Sequence, residues 1–155
     1  MATTTATCTL SSTDMHSQAI SLSSTSTLYK HDTISTGLEQ LSYHRLVLTT
    51  TNTPTGSAAT QFDLITEDAR MNANPANYVY IINKNTAVDD YVKISINDEI
   101  IGSLYGGDWM FIPWSCALTA AANDSTIEAQ AFTSDCVVEY ALFHSGELLV
   151  TAADA

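Results

Sequence analysis

Four histidines, seventeen carboxylates and three cysteines are the groups through which this chain could do acid–base, nucleophilic or metal chemistry. His16, His31, His44 and His144 are set in no zinc-ligand pattern, and H-E-x-x-H is missing. His31 and Asp32 are adjacent, so on a strand they would point to opposite faces. Cys8, Cys116 and Cys136 form no C-x-x-C, which excludes zinc-ribbon and thioredoxin-type sites. They read as small apolar core residues with free thiols, a Cys116–Cys136 bridge being the alternative. Asp89-Asp90 and Asn97-Asp98-Glu99 lack the spacing of a calcium loop and read as solvated turns. G-x-S-x-G, the P-loop and the dinucleotide fingerprint are absent. The expectation is a non-enzymatic protein with no catalytic residue, no cofactor and no metal.

The remaining chemistry is aromatic. Tyr105, Trp109, Phe111 and Trp114 gather around the Gly106-Gly107 turn and are the interface candidates. On a strand, Trp109 and Phe111 share one face, with Met110 and Ile112 on the other. Three readings stand side by side. The cluster closes one end of a core, anchors a protein interface, or stacks on sugar rings.

The elements that must position these groups are strands. Tyr78 to Ile82 is an apolar, β-branched and aromatic run. Tyr91 to Ile96 alternates strictly, placing Val92, Ile94 and Ile96 on one face. Asn97-Asp98 before Ile100-Ile101 is hairpin chemistry, because both residues tolerate left-handed backbone. Trp109 to Ile112 is a short strand, expected to end at Pro113. Thr126 to Ala131 alternates with Ile127, Ala129 and Ala131 inward, and Val137 to Phe143 is apolar on both faces. Leu148 to Val150 is a last short strand, Tyr43 to Leu48 an earlier one, and Thr7–Leu10 and Ile20–Leu22 are short or edge strands. Single helical turns are expected at 36–39 and 66–71, extended chain or loop at 116–122, and a polar loop at 49–60. Strands at this spacing predict an all-β, antiparallel sandwich, jelly-roll-like, with a polar N-terminal arm. The arm is residues 1–35 and the sandwich 36–155, one domain overall.

Composition narrows the partners. Of 38 Ser and Thr residues, 26 precede residue 61, so the apolar strands concentrate in the second half. A net charge of −12, with Lys30, Arg45, Arg70, Lys84 and Lys93 scattered, excludes a phosphate-binding cluster and hence nucleic acid. No 18-residue apolar run exists to span a membrane, and the Thr-rich start lacks signal-peptide character. At 45% hydrophobic and 14% charged, the chain carries enough apolar surface for a core of its own.

The segment Leu104-Tyr105-Gly106-Gly107-Asp108-Trp109-Met110-Phe111-Ile112-Pro113-Trp114, with Tyr78 to Asn83 before it and Val138 to Phe143 after it, resembles small β-proteins of tailed-bacteriophage structural gene clusters. The shared order is an aromatic–aliphatic strand, an alternating strand, a Gly-acidic-aromatic turn closing on x-I-P, and a final E-Y-x-L-F strand. The likeness covers about residues 76–145 and includes no catalytic motif. It implies a virion component, foremost a capsid decoration (cement) protein that binds the major capsid protein or other virion proteins as a homo-oligomer, a trimer among the options. A tail fibre or adaptor subunit is the alternative. A carbohydrate-binding sandwich using Trp109 and Trp114 is the reading from a different class.

Overall fold

In the computed structural model the described residues are 4–13, 19–29, 38, 40–50, 62–66, 77–114 and 126–144. They hold ten strands and no helix: β1 Thr4–Ser12, β2 Ile20–Leu28, β3 Gln40–Leu48, β4 Phe62–Thr66, β5 Asn77–Asn83, β6 Tyr91–Ile96, β7 Glu99–Leu104, β8 Trp109–Trp114, β9 Thr126–Phe132 and β10 Cys136–His144. The helical turns expected at 36–39 and 66–71, the 116–122 segment, most of the 49–60 loop and the strand at 148–150 fall wholly or mostly outside the described residues.

β1 and β2 pair only with each other, while β3–β10 make two four-stranded antiparallel sheets, ordered β3-β10-β5-β8 and β4-β9-β6-β7. Every connection from β3 onward crosses between these sheets except the β6–β7 hairpin. That path is a jelly roll, two Greek keys folded on each other. The expected antiparallel sandwich is therefore present.

Alternation builds the core. Val79 and Ile81 of β5 and Val138, Tyr140 and Leu142 of β10 face Val92 and Ile94 of β6 and Ile127, Ala129 and Ala131 of β9. Ile96 is partly buried and packs against them. β4 was not expected: its Leu64 and Ile65 are both buried because a bulge between Asp63 and Ile65 breaks the alternation that would signal a strand. Pro113 lies inside β8 opposite Tyr78 rather than ending it. β8 is a sheet edge, where a residue without an N–H leaves no ladder bond unmade. The β6–β7 turn has positive φ at Asn97 (51°) and Asp98 (66°), as a two-residue primed turn needs. Both carboxylate oxygens of Glu128 accept the Asp98 N–H and hold that turn down.

One end of the sandwich is closed by amides. The buried Asn83 side chain donates to the carbonyls of Asp90 (3.0 Å) and Leu104 (3.1 Å), tying β5 of one sheet to β7 of the other. Its Oδ1 accepts the Asn85 N–H, so the amide is satisfied on both sides. Asn85 donates to the Asp90 carboxylate and the Asp135 carbonyl and accepts the Val137 N–H. Ser134 donates to the other Asp90 oxygen. Gly106 completes the corner: a Cβ there would come within 2.3 Å of the Ala87 carbonyl oxygen. Cys136, buried beside this network, is a free thiol, and burial, then the Asp90 and Asp135 charges, push it up.

The hydrogen bonds from Ser134 and Asn85 hold the Asp90 carboxyl below its ordinary value. A depressed carboxylate stabilises the fold above its unfolded pKa of about 3.9, and that contribution is lost as pH falls through the folded value. In acid titrations of the melting temperature, Asp90→Asn is less stable than wild type at neutral pH, and the gap closes below the acid transition. In the core, the Tyr140 hydroxyl has no hydrogen-bond partner among the described residues, and burial pushes its pKa up to about 12. Denaturant unfolding of Tyr140→Phe should show a gain of about 1 kcal/mol, because an unsatisfied buried hydroxyl is removed while the ring's packing stays.

Candidate functional site

The two outer faces of the sandwich differ in chemistry. Side chains alternate along each strand, so the register of the β3-β10-β5-β8 sheet lines up what points away from the core. The outer rows are Leu41, Phe143, Tyr78 and Pro113; then Tyr43, Ala141, Tyr80 and Phe111; then Arg45, Glu139, Ile82 and Trp109. This face is almost wholly apolar and aromatic. Phe111 stacks on Tyr78 (5.4 Å) and meets Phe143 edge-on, and Tyr80 leans on Trp109 (6.1 Å). The opposite sheet is mixed: it presents Asp63, Lys93, Ser103 and Gln130 beside Tyr91, Phe132 and the exposed Ile100, with Ser95 and Glu128 buried among them.

Among the described residues the apolar face carries one carboxylate, and it is compensated. Glu139 lies 3.7 Å from Arg45 and 3.8 Å from Lys84 and accepts the Tyr43 hydroxyl. Desolvation first, then that hydrogen bond, raise the Tyr43 phenol. With Arg45 and Lys84 exposed, these pairs each contribute at most about 1 kcal/mol. Their effect is to let a carboxylate sit among aromatics without an uncompensated charge.

Part of this face is covered by the β1–β2 hairpin. Directly opposed residues share a side, so the hairpin has one face of Ala6, Cys8, Leu10, Ile20, Leu22 and Leu28 with small hydroxyls. Its other face is Ser and Thr alone, with Thr7–Thr25 and Thr9–Ser23 hydroxyl contacts at 3.0 and 3.3 Å. The base is clamped: Leu28 and Leu38 are buried, the Leu38 N–H donates to the Leu28 carbonyl, and Thr4 Oγ1 donates to the Leu38 carbonyl. Between hairpin and sheet lies a groove of about 500 Å³, with Ala6 and Cys8 above and Tyr80, Trp109, Phe111 and Phe143 below. The hairpin's far end is bare, with Leu10 59% and Leu22 60% exposed. So is the β3 side of the sheet, where Leu41, Tyr43 and Val47 are all more than half exposed.

The four interface candidates do not form one cluster. Trp109, 49% exposed, and Phe111 lie together on the apolar outer face. Trp114 is 4% exposed and packs in the core between the sheets, because its even position on β8 points inward with Met110 and Ile112. It offers no surface on which a sugar could stack. Tyr105 belongs to a separate group with Tyr91 (5.4 Å), which stacks on Phe132, itself under the Lys93 ammonium (4.2 Å). Tyr78, Tyr80, Tyr43 and Phe143 join Trp109 and Phe111 on the outer face without having been singled out. The signal for them was the strand at 137–143, apolar on both faces, which demands cover on both.

Fluorescence reads this division directly, since the chain has two tryptophans. In Trp114→Phe, the remaining Trp109 should emit at longer wavelength and be quenched by acrylamide. In Trp109→Phe, the remaining Trp114 should emit at shorter wavelength with quenching several-fold weaker. No family model matches the chain and no curated protein is similar to it, so what the apolar face does is read from its own chemistry.

Proposed function

We propose that this protein is a non-enzymatic structural component of a bacteriophage virion, a capsid decoration protein that binds the outer shell as a homo-oligomer. The observation that carries this reading is the outer face of the β3-β10-β5-β8 sheet, apolar across all four strands and covered over only part of its width. Contiguous apolar surface of this kind marks an interaction site. Its aromatic make-up, with a single arginine, is that of protein interfaces. The chain is acidic, which suits an outer surface facing solvent and disfavours contact with packaged DNA. The resemblance of residues 76–145 to phage structural proteins gives the virion setting.

A second reading rests on the groove between hairpin and sheet. Its aromatic floor of Tyr80, Trp109, Phe111 and Phe143 beneath threonine and serine hydroxyls could take a sugar ring. Trp109 alone of the two tryptophans would serve.

Electron microscopy of particles carrying the labelled protein tests the main reading. Density on the shell, with a gain in the heat resistance of empty heads on adding the protein, is the expected result. Density on the tail moves the assignment to a fibre or adaptor subunit, and absence from both sinks the virion reading. A glycan-array signal abolished by Trp109→Ala would establish the sugar reading instead.

A further inference from the structure

Two exposed apolar patches, on the distal hairpin and on the β3 side of the sheet, are two halves of one kind of contact. Near the hairpin base, its apolar face lies over the aromatic side of the sheet and encloses the groove. Beyond Cys8 the same hairpin face continues into Leu10 and Leu22, both exposed. Toward β3 the same sheet face continues into Leu41, Tyr43 and Val47, each more than half exposed. Each uncovered half therefore continues an interface the chain already makes with itself.

We propose that the distal part of the β1–β2 hairpin of one copy lies on the uncovered β3 side of the sheet of a second copy. The proposal rests on the assembly reading above and names the surface through which copies meet. Three observations select a second copy as the occupant. First, the occupant's chemistry is already displayed, since the proximal part of this ribbon faces this sheet across the groove within the chain. Second, the hairpin's nine-residue strands TTATCTLSS and ISLSSTSTL contain no charged side chain, in a chain of net charge −12. On the sheet face Glu139 is met by Arg45 and Lys84. Two such acidic copies repel at most approaches, and these faces are where they can touch without bringing carboxylates together. Third, a two-stranded ribbon is marginal alone in water, and the outer rungs of this one, Thr9–Ser12 with Ile20–Ser23, are paired far from its own sheet's groove. A second copy's sheet supplies the missing surface. Given and received at different patches, the contact closes as a reciprocal dimer or a ring.

A mixed-disulfide experiment on the full chain decides it. Leu22→Cys is made in one preparation and Tyr43→Cys in another, both with Cys8→Ser and Cys116→Ser, and the two are mixed under mild oxidation. The expected product is a disulfide between the two different chains, identified by its linked peptides. Light scattering should show an oligomer for wild type at micromolar concentration. The Leu10→Ser/Leu22→Ser variant should associate roughly tenfold or more weakly while keeping the wild-type β-sheet spectrum. Both leucines are exposed in the single chain, so a structural role within the monomer would not produce that shift. Three outcomes overturn the proposal: a wild-type monomer; cross-linking of Leu22→Cys only with itself, which would put hairpin tips together; or an intrachain bond in a chain carrying both cysteines. An intact oligomer that fails to bind heads defeats the decoration reading and leaves this contact standing, while a monomer that binds heads does the reverse.

Discussion

A β-sheet whose two faces are both apolar cannot be satisfied by a single layer packed against it, and that constraint organises this molecule. The β3-β10-β5-β8 sheet buries Val79, Ile81, Val138 and Leu142 against the second sheet. Its other face carries Tyr78, Tyr80, Phe111 and Phe143. Burying the first set makes the sandwich; the second set needs a further layer, which the β1–β2 hairpin supplies in part. Each large apolar side chain moved fully from water is worth about 1.5–3 kcal/mol, so an apolar face left open is a strong drive to associate. The second sheet makes less of this demand, because its outward positions mix Tyr91 and Phe132 with Asp63, Lys93, Glu128 and Gln130.

The jelly-roll path is what keeps these demands separate. Successive strands from β3 to β10 alternate between sheets with one exception, so neighbours in sequence face different environments. Tyr105 and Trp109, four residues apart, consequently end on opposite sheets' aromatic groups. Between them the chain turns through Gly106 and Gly107 at the corner closed by Asn83, Asn85 and Asp90. That corner is polar because it joins loops, whose backbone groups must find partners away from any ladder. A buried amide with every polar atom satisfied ties the sheets at a fixed register, where another apolar side chain would permit sliding.

Much of this was legible in the residues. Strict alternation in Tyr91–Ile96 and Thr126–Ala131 identified strands and inward sides, and Asn97-Asp98 marked the hairpin turn that positive φ at both residues now explains. What hid from the pattern has local causes. The bulge at Asp63–Ile65 erased the period of β4, and Pro113 reads as a stop wherever the strand is not known to be an edge. The Ser/Thr strands β1 and β2 carry their apolar residues too sparsely for period alone to give their length.

By itself the sequence determined the fold class, the inward residues of the central strands, and that Val137–Phe143 required burial on both sides. These follow from the two-residue period of a strand and the cost of leaving apolar surface in water, which are local properties. Only the tertiary structure decided which aromatics stand together. Trp109 and Phe111 meet Tyr78, Tyr80 and Phe143 because β8, β5 and β10 are neighbours in register, while Trp114, on the same strand, points into the core. Strand order and register depend on how eight strands pair across the whole chain, and no window of sequence contains that pairing.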